Sequence, residues 1–452
     1  MDLLSARKKD NIFIIKRSEI TGRLDPHYNQ PLFSKLWDKL YLISGELTTL
    51  RKNSICIFSG ITPKSGGDAY TLNDGVPFVR SGDFSEMNEI DFSKLLRLKR
   101  EIHDGIMCGS QLQKNDLLIA IVGATIGKVG VYQYDIEANI NQAICAIRLK
   151  NTLNPYYVQA FFQTYIGQKI IERIKRPVAR ANINLEEVGN LPIPLLDLHK
   201  QNEIAQIMDD SRLQKQAKER EANALLASID DYLLSELGIE RPTLARTENG
   251  RFFYTSFKEI TGGELAPISV QNRGKQSKST QYKEIKLSTI ASITKGQAIT
   301  SKEIVDGEYP VIAGGQSSPY THNQYNHKGD VITVSASGAY SGYVWYHDYP
   351  IFASDCSVIF SKDNNVFLTK YIYEILRLRQ KEIYLLQKGA GQPHVYASDL
   401  AQITIPVVSI EKQMEIIMYC NHLRITADEL KQEGKHLVES AKMAIEAMIL
   451  GE

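Results

Sequence analysis

One piece of punctuation occurs twice in this chain, and it constrains the fold more than any other feature. Residues 191–203 read LPIPLLDLHKQNE and residues 403–415 read ITIPVVSIEKQME. Each copy sets an apolar residue before a proline, adds a short apolar run and continues into Lys-Gln-x-Glu. Aligning Pro194 with Pro406 gives an offset of 406 − 194 = 212, which also places Gln201 on Gln413 and Glu203 on Glu415. A second echo lies upstream: residues 13–22 read FIIKRSEITG and residues 253–262 read FYTSFKEITG, at an offset of 262 − 22 = 240. The second copy is therefore shorter between its two markers by 240 − 212 = 28 residues. A sequence that repeats its own markers in order is a duplicated structural unit.

The stretch between the markers echoes as well. Residues 116–132 (DLLIAIVGATIGKVGVY) and 330–346 (DVITVSASGAYSGYVWY) each read as a β-branched strand, a glycine-containing turn and a second strand. Residues 76–83 (VPFVRSGD) and 309–316 (YPVIAGGQ) precede them; residues 155–164 and 367–376 follow with helical patterning. After Pro406, apolar or small residues recur at Leu423, Ala427, Leu430, Gly434, Leu437, Ala441, Ala444 and Met448, a heptad seam interrupted by Gly434. After Pro194 the seam starts at Ile204, Ile207 and Met208 and resumes at Ala222, Leu225, Ile229, Leu233 and Leu237, with a polar middle at 211–220. A helix with one apolar seam needs a partner. Ile204, Leu225, Ile229 and Leu233 on the first helix, and Leu423, Leu430, Leu437, Ala441 and Met448 on the second, are the expected pairing or partner-docking positions.

These patterns predict an α+β architecture: two tandem mixed α/β globules separated by two long antiparallel helices that form a coiled-coil spacer with pseudo-two-fold symmetry. The expected boundaries are a lead-in at 1–48, a first globule at 49–196, a first long helix at 197–240, a linker and second lead-in at 241–284, a second globule at 285–408 and a second long helix at 409–452. A chain of 452 residues is too long for one ordinary core. No stretch approaches eighteen consecutive apolar residues, so no membrane span is expected. Five cysteines, scattered and without a Cys-x-x-Cys pair, and a start lacking the order of a signal peptide, suit a cytoplasmic protein.

Several motifs imitate catalytic sites. Residues 123–128 (GATIGK) follow an apolar strand, but a phosphate loop needs four residues between its glycines and a hydroxyl after its lysine; here there are three, and Val129 follows. A tight turn is the better reading. The sequence NPYY at 154–157 suits a helix start with Pro155 in its first turn. DLHK at 197–200 becomes SIEK in the other copy, which argues against a nuclease pair, and His322 and His327 lack further metal ligands at useful spacing. The chain reads as non-catalytic, with neither cofactor nor metal of its own.

Its polar loops point to nucleic acid instead. Net charge is only +1, from 53 basic and 52 acidic residues, but acid gathers on the first long helix while cations, amides and aromatics gather in globule loops. In the first globule these are Lys64, Arg80, Lys128, Lys175, Arg176 and Arg180, with a basic run at 94–100. In the second they are Lys295, Gln316, Tyr340, Tyr343, Lys388, Gln392 and His394. Arginine and glutamine can address base edges; lysine and tyrosine can hold phosphates. Arg80 aligns with Ala313, and Lys128 with Tyr343, so the copies share a scaffold and differ at the loops.

The lead-in FIIKRSEITGRLDP, the VPFVRSGD and GATIGKVG turns and NLPIPLLDLHKQNEIAQI, all in order and repeated, resemble the specificity subunits of type I restriction–modification enzymes across nearly the whole chain. The resemblance implies two target-recognition domains, each reading half of a bipartite, asymmetric site on double-stranded DNA, with the helices setting the gap and docking two methyltransferase subunits. S-adenosylmethionine would belong to those partners, and a motor-nuclease subunit would join for cleavage. The second lead-in departs from the first, with Ala266 where Asp25 is expected. Other readings are a specificity subunit of a related two-subunit restriction system, a single-chain DNA methyltransferase or nuclease, and a protein-binding scaffold.

Overall fold

The computed structural model describes residues 16, 20, 23–43, 46–63, 68–176, 181–240, 277–389 and 391–451. Both lead-in echoes apart from Lys16 and Ile20, most of the predicted linker, and Lys64 and Arg180 lie outside the described residues. The chain divides into two compact units, Met1–Glu219 with Lys431–Glu452, and Arg220–Leu430.

Each unit is built on one plan. In the first, an antiparallel sheet orders Ser54–Ser59, Ile144–Leu149, Leu117–Ala120 and Val129–Val131, and a second sheet contains a parallel pair, Val76–Val79 beside Asn139–Ile140. In the second, the matching sheet orders Ala291–Lys295, Cys356–Ser361, Val331–Ser335 and Val344–His347, and the parallel pair is Tyr309–Ile312 beside Phe352–Ala353. The central strands are buried along their length, as Leu117–Ala120 and Val331–Ser335 show; their apolar runs lack the alternation of a half-exposed strand. The helices Pro155–Gln163 and Thr369–Leu378 cover these sheets.

The repeated punctuation is a plug and a cap. Pro192–Pro194 pairs antiparallel with Leu47–Thr49, and Thr404–Pro406 with Glu284–Lys286. The buried Tyr157 and Tyr371 hydroxyls donate to the carbonyls of Pro194 (2.7 Å) and Pro406 (2.9 Å). Asp197 and Ser409 cap the long helices, accepting from the backbone N–H of Lys200 (2.9 Å) and Lys412 (3.3 Å). Gln201 is fully buried; it accepts from the Asn154 N–H (2.8 Å) and donates to the carbonyls of Thr152 (3.1 Å) and Leu196 (2.8 Å). Gln413 repeats this with the Leu368 N–H (2.8 Å) and the carbonyls of Val366 (2.9 Å) and Val408 (3.2 Å). One amide side chain thus satisfies three backbone groups that would otherwise be buried unpaired. Q413L should cost the second unit about 1–3 kcal/mol in urea unfolding, since leucine fills the volume and leaves those groups unsatisfied.

The first long helix is Leu198–Glu236 and the second is Ile410–Leu450. Within the first unit, Lys218 pairs with Glu433 at 2.7 Å, and a Cβ on Gly434 would stand 3.4 Å from the Lys215 Cα. Within the second, Lys412 pairs with Glu236, and the rings of Tyr232 and Tyr419 lie 4.1 Å apart. Rising numbers on one helix meet falling numbers on the other, so the helices run antiparallel within each unit. Gly434 interrupts the apolar seam because the backbone of the facing helix passes there. Ile204 joins the first core; Ile229, Leu233 and Leu423 join the second, with Leu225 packed against it. Leu430 and Leu437 are half-buried and Ala441 is buried. Met448 differs from expectation: it is 38% exposed, and the seam passes to Ile445 and Ile449. A strict seven-residue spacing drifts around a helix of 3.6 residues per turn, and the first core takes the i, i+4 stripe.

His347 lies fully buried, its ring sharing a hydrogen bond with the Thr333 hydroxyl at 2.8 Å. Burial pushes its pKa from 6.5 down to about 4. The unfolded chain takes up a proton below pH 6.5 that the folded unit refuses until about pH 4. The second unit should therefore lose stability as pH falls through that window, read as a falling urea midpoint, and H347F should flatten the fall.

Candidate nucleic-acid interface

In the second unit, five loops are tied to one rim by backbone hydrogen bonds. Gln297 N–H donates to Ala353 (2.9 Å), Ser354 N–H to Ile312 (2.7 Å), Ala336 N–H to Asp355 (3.2 Å), Gly338 N–H to Pro393 (3.1 Å) and Val395 N–H to Ala336 (3.1 Å). Lys295, Gln316, Tyr340, Tyr343, Lys388, Gln392 and His394 all stand on these loops or beside them. Lys295, Gln316, Tyr340 and Gln392 are exposed. Tyr343 packs edge-on against Trp345 at 6.4 Å, and His394 stacks on Tyr396 at 6.2 Å. Lys388 differs: its ammonium meets Asp399 at 2.8 Å and is only 19% exposed, so its charge is largely spent inside the unit.

The first unit has the same rim. Gly60 N–H donates to Asn141 (3.3 Å), Asn141 N–H to Val79 (3.2 Å), Ile121 N–H to Ala143 (2.9 Å) and Gly123 N–H to Ala181 (3.3 Å). Backbone crowding sets the glycines. A Cβ on Gly60 would lie 1.6 Å from the Ile140 carbonyl oxygen, and one on Gly296 would lie 2.1 Å from that of Ser354. The GATIGK turn has positive φ at Gly123 (82°) and Gly127 (93°), and its second copy repeats this at Gly338 (85°) and Gly342 (92°). It is a turn between strands, as its spacing predicts, with left-handed backbone that glycine alone adopts readily.

The first unit's expected cations divide by their partners. Lys128 donates to the Phe84 carbonyl at 2.6 Å with its ammonium 4.6 Å from the Phe84 ring centre, and burial lowers its pKa. Arg80 is held by both oxygens of Asp83 at 2.9 and 3.1 Å, and Arg176 by Glu187 at 3.1 Å. Three of the four cations in the basic run are paired too, Lys94 with Asp91, Lys99 with Asp68 and Arg100 with Glu137, while Arg97 donates to the Gly75 carbonyl at 3.0 Å. Lys175 stands near the turn, its ammonium 3.6 Å from where a Gly127 Cβ would be. Among the described residues, Lys175 and Lys295 make no ion pair. Thr62, Gln142 and Gln297 also lie on the rims and were not singled out from sequence. Thr62 donates to the Gln142 side chain, and the signal that could have located these loops is the glycine following the first sheet strand in each copy. Among the described residues, no cluster of three His, Cys, Asp or Glu could hold a metal ion, and no helix is long and apolar enough to cross a membrane.

The family model described as the type I restriction modification DNA specificity domain matches residues 55–227 and 279–438. The chain belongs to the type I restriction–modification DNA specificity family. It is accordingly a DNA specificity subunit, with no catalytic role of its own. The EcoBI specificity subunit of Escherichia coli is 28% identical over 167 residues, 37% of this chain and 35% of that protein, so the match spans about a third of that relative. A protein of Mycoplasma pneumoniae described as a type I specificity subunit is 24% identical over 72% of this chain and 80% of its own length. The solved S subunit of the type I system of M. genitalium covers 90% of this chain and 95% of its own at 16% identity, with a TM-score of 0.44. A chain solved in work on complex assembly of the type I system gives 0.49 at 13% identity, over 90% and 96%.

Proposed function

We propose that residues 49–196 and 285–408 are target-recognition domains, each reading one half of a bipartite, asymmetric site on double-stranded DNA. The observation that carries this is the pair of matching rims: the same glycines and backbone bonds hold them, while their side chains differ. Arg80 stands where Ala313 stands in the second unit, and Lys128 where Tyr343 stands. A conserved frame with divergent loops suits two readers of unlike sequences. Base edges give specificity through amides and guanidinium groups, and lysines supply salt-dependent affinity through phosphates.

The long helices, each about 60 Å at 1.5 Å per residue, serve in this reading as a pseudo-two-fold coiled-coil spacer that fixes the gap between half-sites near one turn of duplex, about 34 Å. Their exposed flanks, Met448 among them, would dock two methyltransferase subunits carrying S-adenosylmethionine, with a motor-nuclease subunit joining for restriction. A cytoplasmic setting follows from access to the chromosome.

The test separates phosphate from base contacts in one unit. K295A should lower affinity for all sequences alike and reduce the log–log salt slope by about 0.9. Q316A should relax one half-site by about 1–3 kcal/mol and leave the other untouched. Competition binding against single-base variants reads both. Equal loss at both half-sites, or none at either, refutes the assignment.

A further inference from the structure

The two units solve one electrostatic problem differently. Tyr157 and Tyr371 correspond at an offset of 371 − 157 = 214, since their hydroxyls reach the matching carbonyls of Pro194 and Pro406. Gln201 and Gln413 correspond at 413 − 201 = 212 on the long helices. Position 374 then matches 160, and position 424 matches 212. In the second unit, Glu374 is fully buried and takes both terminal guanidinium nitrogens of Arg424, at 2.6 and 2.5 Å. In the first unit the carboxylate's place is held by Ala160, also fully buried, while the arginine remains as Arg212.

Arg212 is 5% exposed and donates to the Gln163 side-chain oxygen at 2.9 Å. Among the described residues it makes no ion pair. Burial pushes its pKa down to about 10, which leaves it charged at neutral pH. A buried guanidinium whose side-chain acceptor among the described residues is a neutral amide keeps much of its desolvation cost, offset in part through space by Asp209 and Glu86. Beside it opens a cavity of about 130 Å³ whose lining includes Lys215, Lys435 and Lys442. The lining acids are Glu86, which is exposed, and Glu439, which pairs with Lys442 at 2.8 Å. Four cations thus line the cavity with two carboxylates, and Lys215 also pairs with Glu219 at 3.8 Å. Asp209 and Glu86 act on Arg212 only through space, so among the described residues the deepest cation has no carboxylate in hydrogen-bond contact.

We propose that the cavity around Arg212 is a binding site for one oxyanion of carboxylate or phosphate size, supplied from outside the chain. The guest supplies the anionic acceptor that Glu374 supplies in the second unit, accepting from the guanidinium with lysines at its flanks. The site does not rest on how the rim loops meet DNA.

Isothermal titration of the purified full chain with inorganic phosphate, at constant ionic strength in chloride, should show one phosphate bound. R212M should weaken it at least tenfold. A160E should do the same by the opposite route, supplying the missing carboxylate from within, and circular dichroism shows whether it folds. If A160E does not fold, R212M decides. A parallel titration with acetate distinguishes the source: binding of both anions marks a carboxylate guest, such as an acidic side chain, and binding of phosphate alone marks a phosphate group. Failure of wild type to bind either anion, or unchanged affinity in R212M, overturns the proposal.

Discussion

R424M is expected to destabilise the second unit by about 3–5 kcal/mol, the largest stability effect foreseen for a single side chain in this protein. Arg424 closes over Glu374 with two bonds, and its guanidinium carbon lies 5.5 Å from the Tyr373 ring centre. Methionine keeps most of the apolar stem and strands a carboxylate that has no exposed surface. The cost comes from that orphaned charge, so the double variant R424M/E374L should recover most of it. Urea unfolding followed by a probe in the second unit gives both numbers. A loss under about 1 kcal/mol for R424M would show that water reaches Glu374 and that the pair is a surface interaction.

Lengthening both long helices is expected to move the DNA specificity itself. Seven residues inserted between Glu219 and Arg220, and seven more between Leu430 and Lys431, add about 10.5 Å to each helix. Seven residues return nearly to the same helix face, so the antiparallel contacts within each unit, Lys218 with Glu433 and Tyr232 with Tyr419, are kept. On the proposed reading, the preferred gap should grow by about three base pairs at 3.4 Å each while both half-sequences stay the same. Affinity for the original gap should fall at least 100-fold, because two half-sites joined by a stiff linker cooperate only when the span matches. A panel of duplexes differing only in gap length measures this. An unchanged optimum would refute the helices as the measuring element.

Much of the architecture was legible because it is periodic or repeated. The 212-residue offset places Gln201 and Gln413 at matching positions without indicating what they bond, and the failed phosphate-loop spacing at GATIGK predicts a turn. Burial follows the heptad spacing as far as Ala441, with Leu430 and Leu437 half-buried. The spacing missed Ile445 and Ile449 because a local period does not show which core receives the last turns. The polar middle of the first helix gave no hint that Arg212 is buried, nor that Gly434 admits the Lys215 backbone.

The candidate interface was legible as a set of loops and much less as a set of side chains. Arg80 and Asp83 are three residues apart, and their pairing could have been read from the sequence. Lys128 meets a carbonyl 44 residues away, and nothing local announces that. By itself, the sequence determined the duplication, the strand–turn–strand units and the two long helices, because spacing and propensity act over neighbouring residues. Only the tertiary structure decided which cations are spent on internal partners and which, such as Lys175, Lys295 and the buried Arg212, make no ion pair among the described residues. A charge is neutralised through space, by groups that the fold alone brings within reach.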